Sequence, residues 1–259
     1  MIVDDFSLGL LFSFLGVLAL TLVHLFVHRF RFLSGESGPW ISASAGVAIA
    51  YVFVDILPLL ASQQAKLLAT PHTGWLRYVE HHVYLVAMAG FAFHYLIAMS
   101  RGASAGARAD VQRDRDGSLT AYASGASLLI YAFLIGYLIG EKWDHGGQPG
   151  LIFAVAMALH FLGLNHLAYE EAPHAYLRWL RYQLAGVTVL GWVLGIGTRV
   201  SDQVFLMGFS FLAGGIIVVA MSVELPRLRP QSRDFGAFLA GMAALTSLLL
   251  VAEKLRNLG

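Results

Sequence analysis

The chain has 259 residues, of which 58% are hydrophobic and 13% are charged, and its mean hydropathy is +0.68. This apolar composition indicates a membrane protein and excludes an ordinary soluble domain. The 17 basic and 16 acidic side chains give a net charge of +1 without a block of one sign, which excludes nucleic acid as a partner. Because there is no cysteine, any metal must be held by histidine, carboxylate, asparagine or backbone oxygen.

Apolar stretches of about 20 residues, the length that crosses a bilayer, predict eight transmembrane helices. They run approximately from Phe6 to Val27, Trp40 to Ala61, Val79 to Met99, Ala121 to Gly140, Leu151 to Tyr169, Tyr182 to Ile196, Val204 to Val223 and Phe235 to Ala252. We therefore expect an all-α, polytopic integral membrane protein that forms a single transmembrane domain over residues 1–259. The acidic start of the chain is not typical of a signal peptide, so the first helix is expected to be retained.

Basic residues predict the orientation of these helices, because cytoplasmic loops carry the excess of Lys and Arg. With both termini outside, the inner side holds Arg29, Arg31, Arg101, Arg108, Arg113, Arg115, Arg178, Arg181, Arg227, Arg229 and Arg233. The outer side holds Lys66, Arg77, Lys142, Arg199, Lys254 and Arg256. This excess favours outside termini, and the small, polar residues 100–119 are predicted to be a flexible cytoplasmic loop between the third and fourth helices.

A short motif repeats in the second and seventh predicted helices. Ala45-Gly46 followed by Leu57-Pro58 matches Ala213-Gly214 followed by Leu225-Pro226, 168 residues later and at the same separation. Under the predicted topology the two helices cross the membrane in opposite directions. Such a pair is typical of inverted-repeat transporters, which bind their substrate near the midplane between the repeats.

Ionisable residues inside the predicted helices are the candidate site residues, because each costs at least about 2.5 kcal/mol to insert. Asp55 precedes Pro58, which frees a backbone carbonyl, although a carboxylate at this position could equally reach the outer interface. The fifth helix carries His160, Asn165, His166 and Glu170. His166, Glu170 and His174 share one face if the helix continues, a pattern that suits Zn²⁺, but Pro173 predicts that the helix ends near Ala172.

Other polar residues have more than one interpretation. Glu224, next to Leu225-Pro226 and close to Arg227, is interpreted as half of an interfacial ion pair. Outer histidines and acids could attract cations, but solvated helix starts explain them as well. These outer residues are His72, Glu80, His81, His82, Glu141, Asp144 and His145.

The segment from Ser44 to Pro58, SAGVAIAYVFVDILP, resembles the second helix of the ZIP family of divalent metal transporters, which reads S-A-G, an apolar run and H-L-L-P. Asp55 occupies the histidine position. The seventh helix, from Ala213-Gly-Gly to Glu224-Leu-Pro226, is similar to the seventh helix of that family, with its acid about one position off the pattern. The resemblance implies eight helices in an inverted-repeat bundle, both termini outside and a variable loop after the third helix.

The fourth and fifth helices depart from the family at its metal ligands. The fourth-helix pattern H-x-F-x-D-G appears as Tyr131-Ala-Phe-Leu-Ile135-Gly136, with Tyr for His and Ile for the acid. The fifth-helix pattern H-E-x-P-x-E appears as His160-Phe161-Leu-Gly163-Leu-Asn165, which keeps the histidine and loses both glutamates. Without these carboxylates a site cannot neutralise two divalent cations in a low dielectric, and a lipid or another ligand could fill the space.

Three functions follow from this pattern. The first is a ZIP-like protein that moves or binds a divalent cation, such as Zn²⁺, at a reduced site. The second is a relative that has lost transport and acts as a sensor, partner or assembly subunit. The third, a membrane-embedded metal-dependent hydrolase, lacks a convincing third ligand beside His160, so we do not expect an enzyme. In the first, His160 and Asn165 are midplane ligands, Asp55 an outer gate or ligand, and His166 with Glu170 the inner exit.

The expected partners and location follow from the same observations. Membrane lipid and a divalent cation are the expected partners, the cation as substrate and not as a resident cofactor, and a homodimer is a candidate assembly. The expected location is the inner membrane of a bacterium, because Arg, Ala and Gly usage suggests a bacterial source.

Overall fold

The computed structural model describes residues 2–30, 39–69, 83–107, 119–141, 147–198, 201–219 and 233–258, and all regular structure in these ranges is helical. The main helices are α1 (Ile2–Phe26), α2 (Pro39–Tyr51), α3 (Leu57–Ala69), α4 (Val83–Ala107), α5 (Leu119–Glu141), α6 (Gly147–Glu171), α7 (Arg181–Gly197), α8 (Asp202–Val219) and α9 (Arg233–Leu258). A helix covers the described part of each predicted span, which confirms the all-α prediction.

Five segments of the described chain are long and apolar enough to cross a membrane. They are Leu8–Arg29, Ser42–Ser62, Ile152–Glu170, Pro173–Gly197 and Arg233–Lys254. Three further apolar segments are shorter, namely Val83–Ile97, Gly125–Glu141 and Leu206–Val218. Large apolar side chains such as Leu96 and Val251 are more than half exposed, which suits a surface covered by lipid. These helices indicate a membrane protein.

Proline and polar residues mark the places where the helices depart from regular geometry. A π-helical turn, Val52–Ile56, joins α2 to α3 directly before Pro58, where the ring removes a backbone donor. As predicted, α6 ends before Pro173, at Glu171. Ala172 leaves helical geometry with φ −146° and ψ 71°. Helical turns over Pro173–Ala175 and Tyr176–Leu180 then lead into α7.

The helix α4 is longer than the predicted third span. It continues through Ala107, so the first part of the segment predicted as a loop, which is rich in alanine, is helical. Residues 108–118 of that segment lie outside the described residues.

Four helix pairs make the closest contacts, α1 with α6, α2 with α9, α4 with α8 and α5 with α7. Glycines allow the backbones to approach. A Cβ atom on Gly136 of α5 would lie 2.1 Å from Thr188 O of α7, and one on Gly195 of α7 would lie 2.3 Å from Tyr137 O of α5. Small residues at such crossings are typical of membrane helices, which associate by close packing.

The α2–α9 crossing is a backbone-to-backbone contact. A Cβ on Gly46 of α2 would lie 2.1 Å from Phe238 O of α9, and a Cβ on Gly241 of α9 would lie 2.2 Å from Ala43 O of α2. The α4–α8 crossing has the same form. A Cβ on Gly214 of α8 would lie 2.0 Å from Ala87 O.

Helix α1 lies between α6 and α7 and runs parallel to one and antiparallel to the other. Along α6, Gly16 meets Ala154 and, further on, His28 meets Tyr169, so both residue numbers rise together. Along α7 the order reverses, because Trp192 meets Phe14 in the middle of α1 whereas Thr188 meets His24 near its end. This arrangement brings the polar residues of α1, α6 and α7 into one buried layer.

Candidate functional site

His160 lies in the buried interior, surrounded by aromatic side chains. Its ring centroid lies 6.0 Å from that of Tyr131 and 6.3 Å from that of Phe161. Tyr131 also contacts His94 of α4, with 5.8 Å between ring centroids. His160, Tyr131 and Phe161 are each at most 2% exposed, so this part of the site is buried and closely packed.

Two positions of α5 correspond to metal ligands in the ZIP-like pattern, and both are occupied by core side chains, Tyr131 and Ile135. Ile135 and Tyr131 both belong to the main hydrophobic core, and Ile135 is fully buried. The adjacent Gly136 contacts the α7 backbone, which leaves no room for a side chain on that face of α5. The tertiary structure thus fills this region with hydrocarbon and aromatic rings.

Asn165 is the centre of a buried hydrogen-bond network. Its Nδ2 donates to Phe161 O at 2.8 Å, which directs Oδ1 towards α1. There His24 Nδ1 donates to Asn165 Oδ1 at 3.1 Å. The Tyr176 hydroxyl lies 2.9 Å from the same oxygen and 2.7 Å from His24 O. The amide oxygen proposed as a metal ligand therefore already accepts a hydrogen bond from His24 and is close to the Tyr176 hydroxyl.

The other side of the His24 ring continues the network into α7. Thr188 Oγ1 lies 3.2 Å from His24 Nε2 and 2.8 Å from Leu184 O. Because the hydroxyl has one hydrogen, it can donate either to the ring or to the carbonyl. His24, Asn165, Tyr176 and Thr188 are fully buried, so this network joins α1, α6 and the start of the α7 segment.

His166 and Glu170 lie together at the end of α6. His166 Nε2 is 3.1 Å from Glu170 Oε1, as their spacing of one turn predicts, with His166 buried and Glu170 46% exposed. His174 follows the break at Ala172 and is exposed, so it does not extend this pair on the same helix.

Asp55 belongs to a separate part of the molecule. It lies half-buried in the π-helical turn between α2 and α3, where it interacts with the Tyr51 hydroxyl one turn earlier. Tyr51 is buried and contacts Phe153 of α6, with 5.7 Å between ring centroids. Of the five predicted ligands, His166 and Glu170 contact each other. Asn165 instead contacts residues outside this set, such as His24 of α1.

In the part of the chain that the structure describes, no three His, Asp or Glu side chains are grouped so that they could hold a metal ion. Glu224 and the outer residues His72, Glu80, His81, His82, Asp144 and His145 lie outside the described residues. Glu141 is described, at the end of α5.

Sequence reasoning did not identify Tyr176 or Thr188 as partners of His24. Tyr176 and Thr188 are 152 and 164 residues from His24 in the sequence, and no local pattern links them. A buried threonine in an apolar helix and a tyrosine at a helix start are both ordinary features, so only the packing of α1 against α7 reveals their role.

Searches of protein-family models and of curated protein sequences return no match to this chain.

Proposed function

We propose that this chain is an eight-span inner-membrane protein with a ZIP-like inverted-repeat fold and both termini outside. Five of its segments are long and apolar enough to cross a bilayer. Of the remaining helices, α4 and α5 have 25 and 23 residues, and α8 has 18, lengths that are close to the requirement of about 20. The directions of α1, α6 and α7 agree with spans that alternate across the membrane.

The glycine contacts support the inverted repeat. Gly46 and Gly214, which are 168 residues apart, occupy equivalent positions in the α2–α9 and α4–α8 pairs. The carbonyls that they meet, Phe238 O and Ala87 O, are 151 residues apart. The reciprocal contacts, Gly241 with Ala43 O and Gly90 with Phe211 O, are related by the same two offsets. The offsets of 168 and 151 residues thus map the α2–α9 contacts onto the α4–α8 contacts, as expected when the two halves of the chain pack in the same way.

Within this fold, the protein acts as a sensor, partner or assembly subunit and not as a carrier of two divalent cations. This proposal rests on which residues occupy the positions of the expected metal ligands and on what those residues contact. Tyr131, Ile135 and Phe161 are packed in the core, and the Asn165 oxygen accepts a hydrogen bond from His24 and lies 2.9 Å from the Tyr176 hydroxyl. A metal at this place would have to break that network and bring in charge without carboxylates to neutralise it.

A second candidate function is movement or binding of one divalent cation at a reduced site. The contact between His166 and Glu170 favours it, because a histidine and a carboxylate on one helical face are suitable ligands for Zn²⁺. Here the cation is the substrate, and Glu170 is exposed enough to meet it first.

Uptake of Zn²⁺ into proteoliposomes separates the two functions. The proteins to compare are the wild type, the variant His166→Ala, Glu170→Gln, and the control His174→Ala, whose exposed side chain lies beyond the helix break. Folding of each reconstituted protein is checked by its thermal unfolding transition. We expect no uptake above empty liposomes for any of the three.

Uptake by the wild type and the control that is lost in the double variant would reject the subunit proposal and support the reduced site. A further variant, His160→Ala, Asp55→Ala, tests the remaining ligands. Uptake that depends on His160 and Asp55 but not on His166 would place the cation path in the other part of the molecule.

A further inference from the structure

A cluster of basic side chains lies where the end of α1 meets the start of α7. Arg181 Nη1 at the start of α7 is 3.4 Å from Nε2 of His28, which belongs to the turn after α1. Arg29 follows His28 in the same turn, and both arginines act electrostatically on His28. His28 and Arg181, which are 153 positions apart in the sequence, thus form one basic site together with Arg29.

Within the described residues, this cluster has no carboxylate partner. The Arg29 guanidinium lies 5.6 Å from the Phe26 ring, and that of Arg181 lies 4.5 Å from the Tyr182 ring and donates to the Tyr182 hydroxyl. Arg181 Nε and His28 Nδ1 are buried and make no hydrogen bond in this part of the chain. A buried charged donor without an acceptor is unfavourable, so the site is suited to an anionic oxygen.

The position of the cluster indicates which anion it meets. It lies at the end of the candidate membrane span Leu8–Arg29 and about two turns inside the span Pro173–Gly197. Trp179 and Tyr182 next to it are more than half exposed, as expected for aromatic residues at the membrane interface. Phospholipid phosphates lie at this depth, and arginine binds phosphate through two parallel N–H groups.

We propose that Arg181, with His28 and Arg29, binds the phosphate group of an anionic phospholipid. By the positive-inside orientation this lipid belongs to the cytoplasmic leaflet. The phosphate would join α1 to α7 about one turn beyond the place where Tyr176 already donates to His24 O. The site stands whether or not the chain moves a cation, because none of its residues belongs to the predicted ligands.

The test is the thermal unfolding of detergent-solubilised protein after addition of phosphatidylglycerol or phosphatidylcholine. The proteins are the wild type, Arg181→Gln, Arg181→Lys and the control Arg178→Gln, whose side chain lies over Trp179 and makes no contact with His28. We expect phosphatidylglycerol to raise the Tm of the wild type and of the control by about 5 °C relative to phosphatidylcholine. Arg181→Gln should lose this rise, and Arg181→Lys, which keeps the charge without the planar fork, should lose at least half of it.

A second arm distinguishes the source of the phosphate. Inorganic phosphate is added to protein in phosphatidylcholine and compared with chloride at equal ionic strength. A rise in Tm that depends on Arg181 with phosphatidylglycerol alone identifies a lipid, and the same rise with inorganic phosphate identifies a free phosphate as a sufficient ligand. The proposal is overturned if neither raises the wild-type Tm, or if the Arg181 variants keep the full rise. Should Arg181→Gln fail to fold, Arg181→Lys decides.

Discussion

The α2–α9 and α4–α8 pairs cross in the same way but carry different side chains beside the crossing. In both pairs a glycine Cβ would meet a backbone carbonyl at about 2 Å, so the main chains are in contact. In the α4–α8 pair, the His94 ring lies directly against Gly215. By the repeat offsets, the equivalent residues of the α2–α9 pair are Leu245 and Val47, which are apolar and buried.

This difference shows that the glycines at the helix crossings and the residues beside them are subject to different constraints. The glycines are dictated by the distance between two backbones, and no other residue type fits there. The neighbouring positions tolerate a histidine in one half and a leucine in the other. At these positions, a polar side chain is present in the α4–α8 pair and is replaced by an apolar one in the α2–α9 pair.

The largest expected effect is at the crossings themselves. Gly46→Ala and Gly214→Ala each place a Cβ about 2 Å from a carbonyl oxygen that belongs to a helix backbone. We expect each substitution to lower the free energy of unfolding by about 3 kcal/mol, measured by denaturation in detergent micelles. The control is Gly208→Ala in α8, where the added Cβ meets open space, and it should not lower stability, because alanine favours a helix over glycine by up to about 1 kcal/mol.

Equal losses at Gly46 and Gly214 would show that both helix crossings are under the same steric limit. A full-size loss at one glycine and none at the other would contradict the equivalence of the two pairs.

An intermediate effect is expected in the polar network. Asn165→Leu removes the acceptor of His24 Nδ1–H and one acceptor of Tyr176, which leaves a buried donor unsatisfied. We expect a loss of about 2 kcal/mol, measured in the same denaturation experiment. The double variant Asn165→Leu, His24→Leu should lose less than the sum of the two single variants, because the two side chains depend on each other. Strict additivity would show that the network does not couple α1 to α6.

The smallest effect is expected for His94→Leu, which makes the α4–α8 pair resemble the α2–α9 pair. The substitution removes the hydrogen bond that His94 Nδ1 donates to Gly90 O at 2.8 Å, and leucine can fill most of the same space. We expect a change of about 1 kcal/mol or less. A loss as large as that at Gly214 would mean that the two pairs are not interchangeable around their crossings.

The sequence by itself determined the helices and several of their ends. Apolar stretches of bilayer length predicted the spans because every backbone group in a membrane must be hydrogen-bonded within its own helix. Pro173 predicted the end of α6 for a local steric reason, and the spacing of His166 and Glu170 predicted their contact because residues one turn apart share a face. These features depend on neighbours in the chain.

Only the tertiary structure decided how the candidate ligands are used. The Asn165 oxygen accepts a hydrogen bond from His24 and lies 2.9 Å from the Tyr176 hydroxyl, because α1 and the turn Tyr176–Leu180 both pack against α6. The basic cluster of Arg181 and His28 likewise arises from helices that are distant in the sequence. Hydropathy records how apolar each helix is, but in lipid the choice of neighbouring helices depends on shape and hydrogen bonding between side chains, which a pattern of residue types does not encode.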